Sequence, residues 1–177
     1  MSRPSEFTAH VGDLRRHLGT RKEIRREGVV TGLTVVDARV PQHAEVAIEA
    51  VIESIPDGVV VTGEVTAPWE GICRRCLKEV SGELSADVRE IFETNPADDG
   101  ETWPLTGDQV DLQDLVRETV LLSLPLAPLC ADDCLGPAPD RFPPVRPPGE
   151  TDVDDEVPDE EPRDPRWAKL DALRLDE

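Results

Sequence analysis

Four cysteines arranged as two close pairs constrain this chain more than any other feature. Cys73 and Cys76 have two residues between them, Cys130 and Cys134 have three, and the sequence contains no other cysteine. Thiolates at these spacings can reach a single ion, and a closed set of four suits tetrahedral zinc in a structural role. The pattern therefore predicts a zinc site that ties two distant segments together and leaves no ligand position for a catalytic water.

The compartment decides how paired cysteines are interpreted. Residues 1–6 are not followed by the apolar run of a signal peptide, and no stretch approaches the length needed to cross a bilayer. We therefore expect a cytoplasmic protein without membrane contact, in which thiols stay reduced. Unligated thiols and one reversible disulfide stay open as alternatives to a metal site.

Charge limits the classes of partner. A net charge of −19 argues against extensive binding to nucleic-acid backbones, because affinity for phosphates depends on Lys and Arg. Residues 150–164 contain nine acidic residues and one arginine. A basic cluster near the other end consists of Arg15, Arg16, Arg21, Lys22, Arg25 and Arg26. This cluster is interpreted either as a solvated face or loop, or as a local contact to RNA or an acidic partner.

The first part of the chain is predicted to be rich in strands. The β-branched run 29–36 predicts a strand, and residues 44–69 predict a hairpin that turns at Pro56-Asp57-Gly58. Residues 80–91 alternate with a period of two, which is typical of a strand. The Cys73–Cys76 pair thus falls at a turn between antiparallel strands, which resembles a zinc knuckle. Redox CxxC motifs lie instead at a helix N-terminus, where the dipole lowers a thiol pKa.

One main helix is predicted between Asp111, as the N-cap, and Pro125, which ends it. We therefore expect an α+β domain over residues 1–136, built from an antiparallel sheet of about five to six strands covered by this helix. A barrel-like closure of the sheet stays open.

The remainder of the chain has a different composition. Residues 137–163 are dominated by Pro, Asp and Glu, which predicts a disordered linker. Residues 164–177 predict a short amphipathic helix that docks on its own domain or on a partner. The predicted docking face carries Trp167, Leu170 and Leu173.

No familiar catalytic arrangement is present in the sequence. It lacks a glycine-rich phosphate loop, a G-x-S-x-G elbow and an H-E-x-x-H motif. We therefore expect a binding or assembly protein that is not an enzyme. Two alternatives are a thiol-redox enzyme with Cys73 or Cys76 as nucleophile, and a direct RNA-binding factor that uses the basic cluster.

The order of several motifs resembles the bacterial YceD family. These motifs are Cys73-Arg-Arg-Cys76-Leu77, the segment D-L-x-x-L-V-R-E-x-V-L-L-x-L-P-L-x-P-L-C from Asp111, Cys134-Leu135-Gly136, and D-P-R-W-x-x-L from Asp164. The resemblance implies a role in accumulation of large-subunit (23S) ribosomal RNA, through its synthesis, processing or stability. The implied partner is a ribosomal protein or a large-subunit precursor particle, with ribosomal RNA contacted indirectly.

Overall fold

The computed structural model describes residues 5–96 and 101–141. The predicted C-terminal docking helix, with Trp167, Leu170 and Leu173, and most of the predicted linker lie outside these residues. The boundaries predicted for the linker and the docking helix therefore stay predictions.

Nine strands, one 3-10 helix and one α-helix make up the described part of the chain. In chain order they are β1 (Thr8–His10), the 3-10 helix (Leu14–Arg16), β2 (Arg21–Gly28), β3 (Thr34–Val35), β4 (Ala38–Arg39), β5 (Val46–Ile55), β6 (Gly58–Ile72), β7 (Glu79–Glu93), β8 (Trp103–Pro104), β9 (Gln109–Asp111) and α1 (Gln113–Ser123).

Strand β6 is the centre of a seven-stranded sheet. It pairs antiparallel with β7 along its whole length, from Gly58 opposite Glu93 to Ile72 opposite Glu79. Along its other edge β6 pairs with both β5 and β4. Strand β5 in turn pairs with β2, and β4 pairs with β3. Strand β8 adds a short parallel pairing to the end of β7, and β1 and β9 form a separate two-stranded sheet.

This architecture confirms the predicted α+β class with one main helix. The sheet has more strands than predicted because β3, β4 and β8 contain only two residues each. Within residues 5–96 and 101–141, the sheet does not close into a barrel.

The predicted hairpin and the following strand are confirmed as β5, β6 and β7. The strand predicted over residues 29–36 is wrong for most of its length, since only Thr34–Val35 is extended in the sheet. Gly32 has a φ of +74°, which interrupts the run, and Val30 and Leu33 are buried as loop residues. The strand that precedes this run is the charged segment Arg21–Gly28, whose pairing with β5 supplies its stability.

Alternating residues of β5, β6 and β7 form the core beneath α1. Those on the inner face of the sheet are buried: Val46, Ile48, Ala50, Ile52, Val59, Val61, Val65, Ala67, Leu84, Val88 and Phe92. The helix adds Leu115, Val116 and Val120 to this core. Because helix and sheet share one apolar layer, the end of α1 is held in place relative to the end of β6.

Both ends of α1 follow from local chemistry. The Asp111 carboxylate accepts a hydrogen bond of 3.0 Å from the Gln113 N–H, so it caps the first turn, although the N-cap position itself is Leu112. At the other end Leu124 is extended, as expected for a residue before proline. Among the described residues, no helix has the length and apolar character needed to cross a membrane.

Truncation of two leucines on the same helix tests this packing. Leu115 is 4% exposed and Leu122 is 78% exposed. We expect Leu115→Ala to lower the free energy of unfolding by about 2–5 kcal/mol, because it leaves a cavity under the helix. The matched change Leu122→Ala should alter it by less than about 0.5 kcal/mol. Urea denaturation of both variants measures the difference, and equal losses would contradict the packing described here.

Candidate metal centre

The turn between β6 and β7 positions the first cysteine pair. The Cys73 N–H donates to the Lys78 carbonyl at 2.8 Å, and the Leu77 N–H donates to the Cys73 carbonyl at 2.9 Å. Leu77 closes the turn with a φ of +62°, in the left-handed region. The predicted location of the pair, at a turn between antiparallel strands, is therefore confirmed.

The segment after α1 carries the second pair to the same end of the sheet. Pro125 directs the chain out of the helix, and the Pro128 carbonyl accepts a hydrogen bond of 2.9 Å from the Arg74 N–H. Gly71 makes room for this approach. A Cβ at that position would lie 3.2 Å from Pro128 Cγ and 2.5 Å from the Asp37 carbonyl oxygen.

The side chain of Arg75 holds the loop between Cys130 and Cys134. Its Nη1 atom donates to the Asp132 carbonyl at 2.9 Å and to the Cys134 carbonyl at 3.1 Å. The Cys134 N–H donates to the Ala131 carbonyl at 3.1 Å, which tightens the loop further. Arg75 thus orients the second pair from within the first.

The four sulfur atoms form one compact group. Cys73 Sγ lies 3.8 Å from Cys134 Sγ, and Cys76 Sγ lies 3.6 Å from Cys130 Sγ. All four lie within 4.8 Å of one another, and none is in a disulfide. Zinc–sulfur bonds of about 2.3 Å in a tetrahedron place the sulfurs about 3.8 Å apart, whereas a disulfide requires about 2.05 Å. The spacing therefore fits four ligands around one ion.

Electrostatics within the group also fit a cation. The Cys76 N–H, helped by those of Cys130 and Arg75, lowers the pKa of Cys73 to about 6, against the opposing effect of burial. The neighbouring side chains of Cys134, Cys76 and Cys73, together with burial, raise the pKa of Cys130 to about 12. Four adjacent thiols cannot all ionise without a compensating positive charge, which a divalent ion would supply.

Cationic residues of the turn offset the charge that would remain. Four thiolates around a divalent ion leave about two negative charges. Arg74, Arg75 and Lys78 lie within the same turn, between β6 and β7. These residues could stabilise a zinc site without acting as ligands.

Accessibility argues against a redox nucleophile. Cys73 is the thiol with the lowered pKa, and it is 0% exposed. Reactive cysteines combine a low pKa with partial exposure, so a buried Cys73 is poorly placed to attack a substrate. The cysteine that is exposed, Cys130, has the raised pKa.

The structure pairs the basic cluster with partners inside the protein. These partners are Asp108 for Arg15, Asp13 for Arg16, Glu53 for Arg21, the His10 carbonyl for Lys22, Glu27 and Glu49 for Arg25, and the Thr8 carbonyl for Arg26. Four of these residues lie on β2. Side chains alternate along a strand, so Arg21 and Arg25 point to one face of the sheet and Lys22 and Arg26 point to the other. This arrangement favours a solvated face over an RNA contact.

Sequence reasoning missed three residues that build the site. Arg75, Gly71 and Pro128 hold the two pairs together, yet none is a ligand. The sequence signal for this contact was Gly71 near the end of a long strand, because glycine inside a strand often marks the close approach of another backbone.

The fold and this cluster define a small α+β domain with four clustered thiols, which lie close enough together to hold one metal ion. The family model described as large ribosomal RNA subunit accumulation protein YceD matches residues 61–174, which include all four cysteines. The chain therefore belongs to the YceD family, and the resemblance seen in its motifs is confirmed.

Comparison with individual proteins finds mycobacterial relatives. Proteins described as uncharacterized from Mycobacterium bovis and Mycobacterium tuberculosis are each 34% identical over 140 residues, 74% of this chain and 63% of theirs. One from Mycobacterium leprae is 29% identical over 132 residues, 63% of this chain and 59% of that protein. This chain thus spans a little under two thirds of the length of these relatives. No solved structure matches it.

Metal analysis tests the four-thiol centre. We expect the purified protein to bind about one zinc ion per chain, because the four sulfurs form a closed tetrahedral set. Cys73→Ser should abolish tight binding, and a strong chelator should lower the melting temperature of the unmodified protein. Elemental mass spectrometry and thermal denaturation measure these effects. Zinc-free protein with a disulfide between the pairs would contradict the assignment.

Arg75 and Arg74 are neighbouring arginines whose replacement tests whether residues that are not ligands contribute to zinc affinity. Arg75→Ala removes two hydrogen bonds to the loop of the second pair, so we expect zinc affinity to fall by about 10-fold or more. Arg74→Ala keeps the backbone N–H that binds Pro128 and should have a much smaller effect. Competition with a zinc-binding dye measures the zinc affinity of both variants. An equal loss of affinity in the two variants would show that Arg75 contributes only its positive charge and not its hydrogen bonds.

Proposed function

We propose that this protein is a non-catalytic cytoplasmic factor for accumulation of 23S ribosomal RNA and assembly of the large ribosomal subunit. It acts by binding a ribosomal protein or a precursor particle. The observation that carries the proposal is the match of residues 61–174 to a family described by large ribosomal RNA subunit accumulation.

The cysteine centre supports a structural role for the proposed zinc ion. Four ligands complete a tetrahedron and leave no position for an activated water. A closed site of this kind stabilises the fold at the point where β6, β7 and the segment after α1 meet. The fold then presents its surface to a partner.

Surface charge supports a basic protein as the partner. The chain has a net charge of −19, and the basic cluster is engaged by acidic and carbonyl groups of the protein itself. Ribosomal proteins are basic, so complementary charge would steer the encounter, whereas phosphate backbones would be repelled. Ribosomal RNA is therefore an indirect target in this proposal.

A thiol-redox function is the second candidate, because Cys73 has a pKa lowered to about 6. The two functions differ in whether the thiols are bound to zinc or free to react. A protein with tightly bound zinc has no free thiolate for exchange, whereas a redox enzyme would reduce a small disulfide substrate at a rate that depends on Cys73 or Cys76.

Depletion of the protein in cells tests the proposed function. We expect the ratio of large- to small-subunit ribosomal RNA to fall and free small subunits to accumulate on a sucrose gradient, because large subunits are lost selectively. Restoring the unmodified gene should restore the ratio, and Cys73→Ser should not, because the centre would not form. An unchanged ratio in depleted, growing cells would overturn the proposal.

A further inference from the structure

A groove beside the cysteine centre is lined by both apolar and charged side chains, and nothing in the described residues covers it. It has a volume of about 480 Å³ and lies between the β3–β4 hairpin and the ends of β6 and β7. Val36, Ile72 and Val80 supply its apolar lining, and Val36 and Ile72 are 73% and 47% exposed. Exposed apolar side chains gathered in one groove are typical of a binding surface.

Backbone strain is concentrated at the same end of the sheet. Among the described residues, Val36 and Leu77 are the two non-glycine residues with positive φ, at 47° and 62°. Both side chains are exposed, so no packing among residues 5–96 and 101–141 accounts for their apolar character. A β-branched residue in this conformation is a genuine outlier, and strain of this kind accumulates at functional sites. Asn or Gly would adopt these angles at lower cost.

An acidic surface continues from the groove along the outer face of β6 and β7. Because side chains alternate, this face carries six carboxylates and one guanidinium: Glu64, Glu70, Glu79, Glu83, Asp87, Glu93 and Arg89. Glu70 and Glu79 also line the groove itself, and so does Arg39, whose Nε atom lies 2.7 Å from the Glu70 carboxylate. Glu79 is therefore the acidic residue that links the groove to the acidic face.

The acidic face contains like charges in direct opposition. Glu64 pairs with Glu49 of β5 on one side and with Asp87 of β7 on the other. Carboxylates placed directly opposite in a sheet destabilise it. Among the described residues, Glu49 has an arginine partner, Arg25, and Glu64 accepts a hydrogen bond from the Ser85 hydroxyl. A bound cation would relieve this repulsion.

We propose that this surface is the docking site for a basic segment of a protein partner. An apolar side chain of that segment fills the groove at Val36 and Ile72, and its Lys or Arg residues neutralise the row of Glu64 and Asp87. The inference rests on the proposed function, in which the partner is a ribosomal protein, and adds where it binds. Charge governs the rate of encounter, and the apolar anchor supplies most of the affinity.

Two double variants of the full-length protein separate these contributions. Val36→Asn with Ile72→Thr removes the apolar anchors but keeps residues suited to the local backbone, since Asn tolerates positive φ. Glu64→Gln with Asp87→Asn removes the opposed charges and should leave the melting temperature equal or higher. The probes are purified large-subunit ribosomal proteins, each labelled for fluorescence anisotropy. We expect the first variant to weaken binding of the cognate protein about tenfold or more, and the second to weaken it and reduce its salt dependence.

Matched controls change the same kinds of residue elsewhere. Leu18→Asn with Leu122→Gln removes two exposed apolar side chains that do not border the groove. Asp114→Asn with Glu118→Gln removes two charges from α1, which packs on the inner face of the sheet. Both controls should bind within about twofold of the unmodified protein.

The outcomes distinguish the docking site from the proposed function. If a ribosomal protein binds the unmodified chain and the groove variant equally, the docking site is wrong while the function stands. If no ribosomal protein binds the unmodified chain, the docking site is wrong, and the depletion experiment decides the function separately. Sedimentation that shows a dimer dissociated by Val36→Asn with Ile72→Thr would assign the surface to a second copy and overturn the inference. Binding to ribosomal RNA that depends on the same residues would also overturn it.

Discussion

The antiparallel ladder between β6 and β7 is the interaction on which the rest of the structure depends. It is continuous from Gly58 opposite Glu93 to Ile72 opposite Glu79, so its register decides the surroundings of every side chain on both strands. One face of the ladder packs against α1 and forms the core. The other face is acidic, and none of the described elements packs on it. The turn at its end supplies Cys73 and Cys76. A shift of one residue would exchange core and surface along the whole ladder.

The second constraint joins this ladder to the segment after the helix. One backbone hydrogen bond, from Arg74 to Pro128, and the absence of a side chain at Gly71 let the two segments meet. The sulfurs then lie at tetrahedral spacing without a covalent link. A metal ion held there would connect the two ends of the domain core, because α1 leads directly from the sheet to Cys130. This design explains how a centre without catalytic features can still matter for function.

Local patterns predicted much of this fold. The alternation along residues 80–91 and the hairpin turn at Pro56-Asp57-Gly58 predicted the long strands, because period two and turn chemistry are local properties. Strand β2 was not predicted. Its alternate residues are charged on both faces and only Ile24 and Gly28 are buried, so it depends on pairing with β5 and not on its own propensity. The run at residues 29–36 shows the opposite case, in which high strand propensity was overridden by the turn at Gly32.

The sequence by itself determined the spacing of the two cysteine pairs, the CxxC turn between strands and the approximate limits of the helix. These features depend on residues close together in the chain, whose spacing and capping chemistry can be read directly. Only the tertiary structure decided that the two cysteine pairs meet, that Arg75 holds them, and that Val36 borders a groove with Ile72. It also placed Glu49, Glu64 and Asp87 in one row. Such contacts join residues far apart in the chain, and they follow from strand register and close backbone approach, which no local pattern specifies.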